Sequence, residues 1–149
     1  MNITLKLGTY DFLKSQQNSA DTLLKPLLGT DADHLLIKDL STSAQYRGIS
    51  GVYNKFGKYY CLTYLKLNVD QAKLFENKLF SIHSYSFNST ATAVFQNRES
   101  LREYLIIRTF DNGREIKKWD KLLQEEIQTQ IQGSNEEDFG FFTKSYSLL

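Results

Sequence analysis

Residues 104–132 constrain the fold more tightly than any other stretch of the chain. They read YLIIRTF, DNG, REIKKW and DKLLQEEIQTQIQ in succession. The first segment is dense in β-branched and aromatic side chains, which suit a pleated, half-buried surface, and predicts a strand. Asn and Gly tolerate φ > 0, so Asp111-Asn112-Gly113 predicts a hairpin turn, with residues 114–119 as the return strand. Asp120 can then accept a hydrogen bond from a free first-turn N–H. Trp119, Leu122, Leu123, Ile127 and Ile131 recur at helical spacing, and Gly133 stands where a helix-ending glycine belongs. The expectation is a hairpin, a buried Trp119 and an amphipathic helix near 120–132. That describes a fold core and no chemistry.

The rest of the chain agrees with a sheet-rich domain. Ile3, Leu5 and Leu7 alternate with polar residues, as in a half-buried strand. Within residues 10–28 two short helical pieces are expected, the second capped by Ser19, because Pro26 excludes one unbroken helix. Residues 34–40 predict a strand. Residues 46–53 and 58–67 flank Asn54-Lys55-Phe56-Gly57 and predict a second hairpin. Its second strand is apolar on both faces, so it should be central and covered on both sides. Asp70 is expected to cap a helix, with Val69 and Leu74 stapled across it. Residues 81–87 and 90–96 read as strands, Asn97 as the cap of a turn through Leu101, and residues 134–138 as an acidic loop. Phe142, Tyr146 and Leu148 alternate in a final edge strand. No repeat is visible. The 149 residues suit one domain, 1–149, of α+β class: a mostly antiparallel sheet of hairpins packed against a few helices.

Bulk properties exclude several functional classes. A formal net charge of +1 demands neither a nucleic acid nor a membrane as partner. The single Cys61 excludes an intramolecular disulfide. The first residues lack a charged n-region followed by a long apolar run, and no apolar run reaches the ~20 residues of a spanning helix. The expected location is cytoplasmic.

Each chemical motif has a plainer structural reading. His34, His83 and Cys61 share no metal-ligand spacing, so satisfied histidines and an inert core thiol are expected, with no metal and no cofactor. Ser50 lies between glycines but lacks the spacing of a nucleophile elbow. Glu115-Ile116-Lys117 has the E-x-K form of one metal-dependent nuclease superfamily, yet the nearest acidic partner, Asp111, falls in the turn. Residues 40–69 contain no acidic side chain and interleave Arg47, Lys55, Lys58 and Lys66 with Tyr46, Tyr53, Phe56, Tyr59, Tyr60 and Tyr64. That pattern suits a single-stranded nucleic acid, unless the rings face the core. Residues 120–138 are the acidic counterpart. Glu125, Glu126, Glu136, Glu137 and Asp138 form a candidate face for a basic protein partner.

Arg108-Thr109, Asp111, Gly113, Ile116 and Trp119, followed by an amphipathic helix, resemble the C-terminal part of immunity proteins from contact-dependent growth inhibition and related polymorphic toxin systems. The resemblance implies a non-catalytic bacterial protein that binds and blocks a cognate toxin domain. Another small anti-defence or mobile-element inhibitor is the alternative of the same kind. A nucleic-acid-binding module built on the 46–66 hairpin is the alternative of a different kind.

Overall fold

Apolar alternation along eight segments closes the sheet on itself. The computed structural model describes residues 1–40, 44–77, 89–116 and 140–149, with backbone alone at 89, 90, 140 and 141. The strands are β1 (Asn2–Gly8), β2 (Thr22–Pro26), β3 (His34–Asp39), β4 (Tyr46–Gly51), β5 (Tyr59–Lys66), β6 (Ser89–Asn97), β7 (Glu103–Phe110) and β8 (Gly140–Leu148). Two helices, α1 (Tyr10–Gln16) and α2 (Val69–Asn77), follow β1 and β5. All described pairings are antiparallel, in the closed order β1-β3-β2-β8-β5-β7-β6-β4.

The order contains a repeat that the sequence hides. Residues 1–51 run strand, helix, strand, strand, strand, and residues 59–148 do so again. Each half has spatial order fourth-first-third-second, and the halves join through β2–β8 and β4–β6. Period-2 patterning explains the three packing layers. One side chain set from every strand fills the barrel, including Ile3, Leu24, Leu35, Tyr46, Tyr60, Phe95, Leu105 and Tyr146. The opposite face of the second half packs Cys61, Leu65, Val94, Tyr104, Ile106 and Phe110 against Ala72 and Phe75 of α2. Leu23 and Leu36 make a smaller outer cluster under Leu13 of α1. β5 is therefore covered on both faces and central, as its composition predicts, and β7 matches its predicted strand.

Several local expectations are corrected. The segment after α1 is the strand β2, because Leu23 and Leu24 bury on opposite faces, which a strand permits and one helical stripe does not. β4 and β5 form no hairpin: β4 pairs with β1 and β6, and β5 pairs with β7 and β8. The residues between them cross from one half to the other, where the Tyr53 hydroxyl donates to Thr22 Oγ1 at 2.5 Å. Asp111-Asn112-Gly113 turns into a helix. Asn112 Oδ1 accepts from the Arg114 N–H at 2.9 Å, and residues 113–116 are helical where a return strand is predicted. Asn thus serves as an N-cap instead of a φ > 0 turn residue. α2 is capped by Asn68, not Asp70. Asn68 Oδ1 accepts from the Gln71 N–H at 2.8 Å, and Gln71 Oε1 accepts from the Asn68 N–H at 2.9 Å. The staple across this box is Leu67 with Ala72, both buried, while Val69 and Leu74 are exposed. β8 is an inner strand between β2 and β5, not an edge. Asn97 caps its turn as predicted, accepting from Glu99 and Ser100. Trp119, the 120–132 helix, the 81–87 strand and the 134–138 loop lie outside the described residues.

Candidate functional site

Four strand ends meet at one mouth of the barrel. β5 runs out through Tyr64, Leu65 and Lys66, while β7 and β8 begin beside it. The register sets Lys66 opposite Glu103, Leu65 opposite Tyr104, and Tyr64 opposite Phe142. Tyr46, the first residue of β4, completes a cavity of about 420 Å³ lined by these residues. Its walls are mostly rings. Those of Tyr64 and Phe142 lie 5.5 Å apart, and Tyr104 packs on Phe75 of α2 at 4.7 Å. Lys66 and Glu103 supply one charge of each sign.

The mouth phenols are proton donors at neutral pH. Burial pushes Tyr46, Tyr64 and Tyr104 above the usual phenol range, since it disfavours the charged form. The Glu76 carboxylate, accepting from Tyr104 at 2.7 Å, pushes that phenol further in the same direction. Nearby, Arg47 donates twice to Gln96 Oε1, at 3.1 and 2.6 Å, and Gln96 Nε2 donates to the Leu101 carbonyl. This bridge fixes β4 to β6 beside the cavity.

A second concavity, of about 490 Å³, lies where β2 ends and β3 begins, lined by Tyr10, Lys25, Pro26, Thr30, His34 and Leu149 among others. His34 Nδ1 sits 2.7 Å from the Asp31 carbonyl oxygen. The two concavities lie toward opposite ends of β8, beside Phe142 and Leu149 respectively.

The sequence candidates scatter around these sites. Cys61 is buried in the outer core, and His83 lies outside the described residues. Glu115 is buried while Asp111 is exposed, and Lys117 lies outside the described residues, so the E-x-K segment forms no described carboxylate pair. Among the described residues no cluster of three or more His, Cys, Asp or Glu converges as a metal site would. The basic-aromatic stretch does not make a stacking platform. Tyr46 and Tyr60 are buried inside the barrel, Tyr53 and Tyr64 pack against them, and Tyr59 packs on the outer core. Phe56 alone of these rings is fully exposed, with the Lys55 ammonium 5.4 Å from its centroid. Glu125, Glu126, Glu136, Glu137 and Asp138 lie outside the described residues. Sequence reasoning missed the tyrosine mouth, although Tyr60, Leu62 and Tyr64 on one face of β5 already carry its signal. Arg108, which enters the sequence reading only through the resemblance to immunity proteins, is wholly buried on the outer face of β7, and burial lowers its guanidinium to about 10.

Comparison with solved structures resolves the fold. A haem-degrading enzyme from Listeria monocytogenes superposes with a TM-score of 0.75 at 18% identity, over 97% of each chain. A ferredoxin-fold protein from the same species, related to antibiotic-biosynthesis monooxygenases, gives 0.73 at 18% identity, over 99% of this chain and 93% of that one. The fold is ferredoxin-like. A major regulator of staphylococcal pathogenesis shares it, with a TM-score of 0.72 at 13% identity over 99% and 98% of the two chains. No protein-family profile and no curated protein sequence matches the chain.

This likeness overturns the resemblance to immunity proteins. That resemblance rested on a short run around Arg108, Asp111 and Trp119, where the described residues 113–116 are helical and not a return strand, whereas the ferredoxin-like match spans nearly the whole chain. The non-catalytic toxin inhibitor, its mobile-element variant and the nucleic-acid module go with it. The expectation of no enzymatic activity falls too, since structural neighbours include a haem-degrading enzyme and monooxygenase-like proteins. Among the described residues no helix is long and apolar enough to cross a membrane.

Proposed function

We propose that the protein is a small-molecule enzyme of the monooxygenase-like kind, taking a flat, carbon-rich substrate at the tyrosine mouth. The observation that carries this reading is the convergence of Tyr46, Tyr64, Tyr104 and Phe142 from four strands on one cavity. Ligand sites are typically concave and mostly apolar, with a few placed polar groups. Here the rings supply stacking area, and the protonated Tyr64 phenol supplies a donor for an oxygen atom on the substrate, the Tyr104 hydroxyl being engaged by Glu76. Such donors stabilise negative charge as it develops, most strongly where water is excluded. Lys66 at the rim suits a carboxylate or phenolate substituent.

The haem-degrading neighbour makes an iron porphyrin one candidate ligand of the chain. The mouth does not fit the iron. Its side chains offer no imidazole or thiolate, and burial holds its phenols in the protonated form, which is a poor ligand. We therefore assign the mouth to an organic substrate that carries no metal of its own.

The test is binding of hydroxylated polycyclic aromatic compounds to the purified chain, with dioxygen uptake measured on those that bind. Tyr64→Ala should weaken binding by about tenfold, the loss of one stacked ring, roughly 1.5 kcal/mol. Tyr64→Phe should keep most of the affinity and lose turnover. Absence of binding across the panel, or full affinity in Tyr64→Ala, refutes the assignment.

A further inference from the structure

The second concavity is organised around one imidazole. His34 opens β3, directly after the 3-10 turn Asp31–Asp33. That turn is fixed by its own cap: Asp33 Oδ2 accepts from the Thr30 N–H at 2.7 Å and from the Thr30 hydroxyl at 3.1 Å. The Asp31 carbonyl is thereby held 2.7 Å from His34 Nδ1, and a carbonyl can only accept, so Nδ1 carries the proton. The Asp31 carboxylate stands 3.6 Å from the same nitrogen and accepts from the Tyr10 N–H at 3.3 Å. The Tyr10 ring packs on the imidazole at 5.9 Å, tilted by 59°. Tautomer and ring plane are both set. Nε2 is left with its lone pair, and no hydrogen bond to a described residue engages it.

A histidine with Nδ1 donating to a carbonyl and Nε2 free has the arrangement of a metal-ligating imidazole, in which the hydrogen bond makes the other nitrogen more basic. The question is which metal species one imidazole can hold. A free divalent ion needs three or four protein ligands, and the described residues bring no such group together. A porphyrin brings four nitrogens of its own and asks the protein for one axial ligand. The concavity suits such a guest. Tyr10, Pro26 and Leu149 offer apolar contact, and the exposed Lys25 stands at its edge for a propionate.

We propose that His34 is the axial ligand of an iron porphyrin bound between β2, β3 and the start of α1. The site is distinct from the tyrosine mouth, so the two assignments stand or fall separately. Bound there, the porphyrin supplies an iron centre for redox chemistry or is itself the cargo. The chain's own part is to hold the iron through Nε2, fix the ring by the Nδ1–H bond to the Asp31 carbonyl, and pair Lys25 with a propionate.

The test is titration of the full-length protein with ferric haem, read by the Soret band and, after reduction, by the visible spectrum of an imidazole-bound ferrous haem. The expected result is saturation at one equivalent with an imidazole-type spectrum. His34→Ala should weaken binding by about tenfold or more, and added imidazole should restore the spectrum in that variant. Lys25→Glu should weaken binding without changing the spectrum. If His34→Ala does not fold, His34→Gln keeps a donor for the Asp31 carbonyl and removes the strong ligand, so the same loss is read there. Failure of the wild type to bind haem overturns the proposal, as does an unchanged spectrum and affinity in the His34 variants. Binding lost in Tyr64→Ala and kept in His34→Ala overturns it too, by placing haem at the barrel mouth.

Discussion

At the scale of single residues, the fold depends on a few side chains that satisfy several backbone groups at once. Asp21 is one. Its carboxylate accepts from the Asn18 N–H at 2.9 Å, the Lys38 ammonium at 2.9 Å and the Asp39 N–H at 3.2 Å, so it ties the approach to β2 onto β3. Burial raises its pKa, but the Asn18 amide, Lys38 and the Asp39 amide outweigh that together and hold it below the usual carboxylate range. A depressed folded-state pKa contributes stability that is complete above the unfolded value, about 3.9, and is lost as pH falls through the folded one. Asp21→Ala should therefore cost about 1–3 kcal/mol at neutral pH, by stranding buried donors. In urea titrations the gap between wild type and variant should narrow as the solution is acidified below the ordinary aspartate range. An equal gap at both ends would mean that the charge is not what stabilises. Gly57 is a residue of another kind. A Cβ there, two residues before β5, would overlap the Thr109 methyl of β7, a constraint no local sequence signal announces.

At the scale of elements, local chemistry was legible in the sequence and pairing was not. Strands β1, β3, β5 and β7 follow from apolar alternation or double-sided apolar runs, which are properties of a few adjacent residues. Pairing depends on what lies across, and two strands joined by a short polar loop look like a hairpin whether or not they pair. The 52–58 segment is such a loop, and the structure uses it to cross between halves. Caps were half legible. The sequence offers both Asn68 and Asp70 before an apolar face, and only the reciprocal bonds with Gln71 decide. Asn68→Ala should destabilise by about 1 kcal/mol, the usual loss of an N-cap. Asp70→Ala removes only a first-turn charge and should cost about 0.3–1 kcal/mol, less in salt. Thermal melts of the two variants, with and without salt, check the assignment, and the reverse ranking would return the cap to Asp70. The tyrosine mouth was the least legible feature. Tyr46, Tyr64, Tyr104 and Phe142 come from four strands, so their meeting is a fact of topology alone. His34 was visible as a residue. Its fixed tautomer was not, because that comes from the geometry of the preceding turn.

At the scale of the whole molecule, the repeated strand order does not give two independent domains. Ferredoxin-like halves in which the fourth strand pairs the first are complete in connectivity, yet each leaves its second and fourth strands with an open side. Here β2 is closed by β8, and β4 by β6, both from the other half. The barrel interior also draws on all eight strands, so separating the halves would expose Leu24, Tyr46, Phe95 and Tyr146 together. A chain of 50 to 60 residues buries only about 60% of its unfolded surface even when its core is intact. Residues 1–54 made alone should therefore lack a cooperative thermal transition and should aggregate through the open strands. The same fragment mixed with residues 55–149 should regain the near-ultraviolet dichroism of the full chain, since Tyr46 of one fragment and Tyr60 and Tyr146 of the other must return to the shared interior. Tyr53 and Thr22 both lie in the first fragment, so their hydrogen bond alone cannot drive association; the β2–β8 and β4–β6 seams must. A sharp melting transition for residues 1–54 alone would show that the first half carries its own core, and that barrel closure is an addition to the fold and not its condition.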